Sequence, residues 1–220
     1  MKKALVAISI TLVIIVGLMG YWGFIPWFSK ALGTDKPVDL EVRPVTSDLA
    51  QAVDKMNFLS VQSGNRKLGM VDLTGNEVTC LVNSGYWSTL PVKEVQVRFN
   101  QDGTAEASGM IQADQVSSFA ASQGLPPEAL SQAMQKFNMD RDMPFYTKSR
   151  LSVIDNQVGL YVDSLEIGRF PLKGLIDQYQ MEINTMGTYT LGQRGYQIKS
   201  LSIEGGKLVL NAALPVGSEP

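Results

Sequence analysis

Side chains that can hold or move a proton set the limits on chemistry, and in this chain the carboxylates come first. Asp140 and Asp142 flank Arg141 in Asn138-Met-Asp-Arg-Asp-Met-Pro144, the densest run of charge, and Asp163 and Glu166 lie three residues apart further on. Two carboxylates can work as acid and base on a glycosidic bond when they face each other across ~5–9.5 Å. Nothing in the sequence sets either pair across a cleft. The first reads as a solvated loop and the second as part of a strand, so a carboxylate-based hydrolase on these four residues is the third of three functional readings.

Other chemistry is excluded more firmly. The 220 residues contain no histidine, which removes Ser-His-Asp and Cys-His nucleophile pairs, His zinc sites and imidazole bases. Cys80 is the one cysteine, so no intrachain disulfide can form, and with no base nearby it reads as a small, half-buried residue. There is no G-x-S-x-G elbow, Walker loop, C-x-x-C or calcium loop, and Glu204-Gly-Gly-Lys207 reads as a turn. The expectation is a protein without catalytic residues, metal or cofactor.

The elements that would hold any site follow from periodicity. Residues 92–100 and 104–112, 145–154 and 157–167, and 196–203 and 207–214 form three pairs of alternating segments joined by Asp-Gly, Asp-Asn and Gly-Gly turns, which predicts three hairpins in a mainly antiparallel sheet. Leu68–Leu73 reads as a further strand and residues 38–43 as an edge strand. Helices are predicted from Ser47 through Met56, over about 75–84, at 115–121, after Pro126 with Leu130, Ala133, Met134 and Phe137 on one stripe, and after Pro171 with Leu172, Leu175, Ile176 and Tyr179 on one stripe. The second of these opens on Thr74-Gly-Asn-Glu77, a capping box. Residues 185–195, with Gly187, Gly192 and Gly195, read as a flexible loop.

The amino terminus has its own pattern. After Lys2 and Lys3 no charge appears until Lys30, a run long enough for one helix to cross ~30 Å of hydrocarbon. It passes through Tyr21, Trp22 and Trp27, which suit a membrane interface, and shows no small-x-small cleavage site. The sequence predicts a cytoplasmic tail at 1–3, an uncleaved single-pass signal-anchor at 4–28, a linker at 29–37, an extracytoplasmic domain at 38–215 and a polar tail at 216–220. Removing Lys2, Lys3 and Lys30 from 19 basic residues leaves 16 against 21 acidic ones, so the domain has no footprint for nucleic acid.

The order of anchor, strand, Leu73-Thr-Gly-Asn-Glu-Val-Thr-Cys-Leu-Val82, Val95-Gln-Val-Arg-Phe-Asn-Gln-Asp-Gly-Thr104 and Asp163-Ser-Leu-Glu-Ile-Gly-Arg-Phe-Pro171 resembles the YpmS-type family of bacterial membrane-anchored proteins. More distantly it is similar to tubular lipid-binding and AsmA-like domains, in which a long curved sheet wraps helices and holds lipid. The resemblance implies a place outside the cytoplasmic membrane and a lipid or cell-envelope role, with no catalytic motif to carry over.

The fold class expected is thus α+β: an N-terminal transmembrane helix, then a mainly antiparallel curved sheet of hairpins packed with amphipathic helices. The leading functional reading is a membrane protein binding a lipid or amphipathic envelope molecule in an apolar groove. Met56, Met70, Val82, Val97, Phe99, Met134, Phe137, Leu175 and Tyr179 are its expected lining. The alternative is an interaction scaffold for another envelope protein, with a filled core.

Overall fold

The computed structural model describes residues 18, 29–31, 33–64, 67–85, 90–122, 141–193 and 197–213. In chain order these give α1 (Thr46–Gly64), β1 (Gly69–Leu73), α2 (Gly75–Asn83), β2 (Val92–Phe99), β3 (Ala105–Ile111) and α3 (Ala113–Ser122). Then come β4 (Met143–Ile154), β5 (Gln157–Ile167), β6 (Phe170–Pro171), α4 (Lys173–Gln193), β7 (Gln197–Glu204) and β8 (Lys207–Ala213). All three expected hairpins are present, and every strand pairing is antiparallel.

One long strand organises the sheet. Phe145–Ser149 of β4 pairs with both β3 and β5, and Val153–Ile154 pairs with both β5 and β7. A strand has two edges, so β3 and β7 share the edge of β4 opposite β5, one at each end. The sheet therefore forks from β4 into a β3–β2 branch and a β7–β8–β1 branch.

α1 and α2 fill the space between the branches. Ala52, Met56 and Leu59 of α1 and Val78 and Leu81 of α2 pack with Val71 and Leu73 of β1, Val95 and Val97 of β2, and Leu210 and Ala212 of β8. The capping box forms as expected: Glu77 N–H donates to Thr74 Oγ1 at 3.2 Å, and Thr74 N–H donates to Glu77 Oε2 at 2.7 Å. The other Glu77 oxygen accepts from Lys55 Nζ at 2.7 Å, so this buried carboxylate is fully paired.

α2 also closes the free edge of β2. Thr79 Oγ1 accepts the Val97 amide at 2.9 Å, and one turn on Asn83 Oδ1 accepts the Val95 amide at 2.9 Å. Four helical residues advance about 6.0 Å and two strand residues about 6.8 Å, close enough for side chains at i and i+4 to serve amides at j and j−2. Gly75, a turn earlier in α2, lies so close to β2 that a Cβ would sit 2.4 Å from the Val97 carbonyl oxygen.

Three expectations are corrected. No helix among the described residues is long and apolar enough to cross a membrane. α4 has the length but carries Lys173, Asp177, Gln178, Gln180 and Asn184, groups that are costly in hydrocarbon. The transmembrane helix thus drops out of the fold class; the run 4–28 that suggested it, with Tyr21, Trp22 and Trp27, lies outside the described residues except for Leu18. Residues 38–43 are not a strand: Glu41 takes φ 60°, which breaks a ladder, and the segment is held by side chains instead, Leu40 N–H donating to Gln96 Oε1 and Leu40 O accepting from Arg98. Residues 185–193 are helix rather than loop, because α4 runs unbroken through Gly187 to Gln193.

Candidate functional site

α4 does at β5 what α2 does at β2. Beyond the short β6 at its far end, β5 has no strand on its outer edge among the described residues, and α4 runs alongside it in the opposite direction. Thr188 Oγ1 accepts the Val158 amide at 2.9 Å, Asn184 Oδ1 accepts the Leu160 amide at 2.9 Å, and Gln180 Oε1 reaches the Val162 amide at 3.5 Å. Gln180 Nε2 also donates to the Leu160 carbonyl oxygen. The ladder uses helix positions i, i+4 and i+8 against every second amide of the strand.

Gly187 lets the helix come this near. A Cβ there would lie 3.3 Å from Val158 Cγ1, and the next residue, Thr188, makes the Val158 bond. Beside this line of contact α4 and the sheet border an apolar groove. Leu151 and Val153 of β4, Val158 of β5, and Ile198 and Leu201 of β7 form the floor, with Ile183, Gly187 and Leu191 of α4 as the roof. The groove holds about 500 Å3, and its lining is aliphatic apart from the glycine.

The floor is kept continuous by the β4–β5 turn. Asp155 and Asn156 take φ 49° and 63°, the left-handed pair of a tight hairpin turn. Their amides donate to the Lys199 and Ile198 carbonyls of β7 at 3.0 and 2.9 Å, and Asn156 Oδ1 accepts the Ile198 amide at 2.6 Å. Ile198 and Leu201 also pack against the filled core, so the groove continues the same apolar face.

Five of the expected lining residues, Met56, Met70, Val82, Val97 and Phe99, fall elsewhere. Met56 and Val97 are buried in the filled core, and Val82 and Phe99 pack against it. Met70 is 70% exposed, on the face of β1 opposite Val71 and Leu73. Leu175 and Tyr179 belong to α4, the groove's own helix, but their side chains are not among those described. Met134 and Phe137 lie outside the described residues.

No family model, curated protein or solved structure matches this chain. Its function has to be argued from the site itself.

Two of the four candidate carboxylates, Asp142 and Asp163, are engaged in ion pairs. Asp142 pairs with Lys93 at 2.6 Å and accepts the Ala113 amide at 3.1 Å; the Lys93 bond, against a smaller desolvation cost, holds its carboxyl below the ordinary range. Asp163 pairs with Arg150 at 2.7 Å, Glu166 stands opposite Tyr146 in the β4–β5 register, and Asp140 lies outside the described residues. Burial, then the charges of Asp48 and Glu77, push the Cys80 thiol upward, away from a reactive thiolate. Among the described residues no group of three or more Cys, Asp or Glu lies close enough to hold a metal ion.

The groove is not legible in the sequence because the glycines over 185–195 put two of its three α4 residues, Gly187 and Leu191, in an expected loop. A signal was present: Gln180, Asn184 and Thr188 make a polar stripe at four-residue spacing, which fits a helix serving a strand edge.

Proposed function

We propose that this protein binds the aliphatic part of an amphipathic molecule, a lipid, in the groove beneath α4, and does no covalent chemistry on it. The observation that carries the reading is an aliphatic groove of about 500 Å3 beside the buried apolar core. That volume falls in the range of small-molecule sites. Apolar surface left in water costs free energy, while each methylene buried returns ~0.8 kcal/mol, so a chain of about ten methylenes brings roughly 8 kcal/mol before the costs of association. No charged contact is needed to hold it.

The test compares the full-length chain with Ile183→Trp, which fills the groove from its roof. Organic extracts of both purified proteins are analysed by mass spectrometry. An aliphatic amphipath enriched in the wild-type extract and missing from the variant is the expected result; equal extracts sink the reading.

A second reading has one observation in its favour. Met181 and Tyr189 stand 79% and 66% exposed on α4, eight residues apart and so on one face of the helix. They would suit an interaction scaffold docking another protein on the outer side of the roof. Loss of a partner from Met181→Ser/Tyr189→Ser, with the groove's ligand retained, would favour it.

A further inference from the structure

We infer that residues 36–43 form a strap across the outer face of the sheet, latched at Leu40 by the forked side chain of Arg98, and that Glu106 is the positioning residue that sets this latch. Val95 and Val97 of β2 belong to the core, so Gln96 and Arg98, which alternate with them, face the other side. The register of β2, β3 and β4 brings Glu106 opposite Arg98, and Ser108 opposite both Gln96 and Tyr146, on that same side.

The strap meets this face at one well-held residue. Leu40 is buried, and its peptide groups are bonded in both directions: the N–H donates to Gln96 Oε1 at 2.8 Å and the carbonyl accepts from Arg98 Nη1 at 3.2 Å. Away from Leu40 the hold is slighter. Arg169 Nη2 donates to the Lys36 carbonyl at 3.2 Å and Asn76 Nδ2 to the Arg43 carbonyl at 3.4 Å, both in exposed surroundings. The left-handed φ of 60° at Glu41 prevents a ladder from taking over.

Arg98 holds the strap at an angle that Glu106 imposes. Its Nε and Nη2 donate to Glu106 Oε2 at 2.8 and 2.6 Å, which leaves Nη1 for Leu40. Glu106 is fixed in turn: Oε2 also accepts from Asn100 Nδ2 at 3.1 Å, and Oε1 from the Tyr146 hydroxyl at 2.6 Å. A guanidinium can serve a carboxylate and a carbonyl together because its donors lie in a rigid plane, whereas a lysine brings one nitrogen on a flexible stem. The attachment is separate from the apolar core on the far face of β2, so the strap can open while the sheet stays folded.

The experiment follows amide hydrogen exchange of the full-length chain by NMR, at Leu40 on the strap and at Val97, whose amide is bonded to Thr79 on α2. In the wild type both should be protected. Arg98→Lys and Glu106→Ala should each speed exchange at Leu40 at least about tenfold, on the scale of one lost bond to a charged group, with Val97 unchanged. The Leu40 amide is bonded to Gln96 and not to Arg98, so the rise reads departure of the strap and not merely removal of a partner. Endoproteinase Glu-C should then cut after the exposed Glu41 faster in both variants than in the wild type.

If Glu106→Ala unfolds, Arg98→Lys, which keeps the charge, carries the test alone. A Leu40 amide that exchanges in the wild type as fast as in a free peptide overturns the strap. Leu40 left unchanged by Arg98→Lys overturns the latch, and a rise shared equally by Leu40 and Val97 overturns its independence from the core.

Discussion

The side chain of Asn83 bonds to the backbone of Val95 in both directions, Oδ1 accepting its amide at 2.9 Å and Nδ2 donating to its carbonyl at 2.7 Å. A primary amide thereby takes the place of a strand residue. At the other side of the sheet Leu160 receives the same treatment from two residues, Asn184 for the amide and Gln180 for the carbonyl. Edge strands invite pairing with other chains, and here helices bearing Asn, Gln and Thr at four-residue spacing close two of them. Only at β5 does the covering helix also overhang an open groove.

Asn83→Ala should therefore leave the amide and carbonyl of Val95, a buried core residue, without their side-chain partner. A loss of roughly 1–3 kcal/mol is expected in denaturant unfolding. The sharper readout is local: hydrogen exchange at Val95 should rise more than at Val71 in the same core. Uniform acceleration across both positions would show that the bond is not an edge device.

Gly75→Ala tests the close approach at the same edge. The new Cβ would meet the Val97 carbonyl oxygen at 2.4 Å, a backbone atom with no freedom to rotate away. Alanine has up to ~1 kcal/mol of helix propensity over glycine, but overpacking against backbone costs roughly 1–3 kcal/mol, so destabilisation should win. A raised midpoint of thermal unfolding would refute the geometry.

These edges also show where the sequence was legible and where it was not. Alternation over residues 145–154 and 157–167 marks the second hairpin within two residues of its ends, and Thr74 and Glu77 mark the start of α2. Both signals are local. Periodicity says that Met56 and Leu151 face inward, but not that one meets a filled core and the other an open groove. Gly187 misled for a different reason: glycine usually weakens a helix, and its value here appears only once Val158 lies against it.

Lys55 and Glu77 give a third test. Glu77 has a side chain 2% exposed, and Lys55 is the cation on it, at 2.7 Å. Lys55→Met leaves an unpaired charge in the core and should cost roughly 3–5 kcal/mol. Lys55→Met/Glu77→Gln removes that charge while the glutamine oxygen can still accept the Thr74 amide, so the double variant should recover much of the loss. The coupling is read from a double-mutant cycle in urea, and strictly additive losses would contradict it.

The final prediction concerns pH and the polar cluster on β2, β3 and β4. Glu106 is buried, and burial alone would raise its pKa, but bonds from Tyr146, Asn100 and Arg98 outweigh this and hold it below 4.5. A lowered folded value stabilises above pH 4.5 and is lost as pH falls through it. Tyr146 moves the other way: burial first, then its 2.6 Å bond to Glu106, push the phenol from 10.0 up to about 12. A raised folded value stabilises fully below pH 10.0, and that contribution disappears as pH rises from 10.0 to about 12. Tyr146→Phe should thus flatten the alkaline limb of the stability curve, and Glu106→Gln the acid limb, each in urea titrations at fixed salt. Since the Tyr146 bond is the largest of those that lower Glu106, ahead of Asn100 and Arg98, Tyr146→Phe should shrink the acid limb as well. If Tyr146→Phe leaves both limbs untouched, the cluster does not titrate as its bonds require.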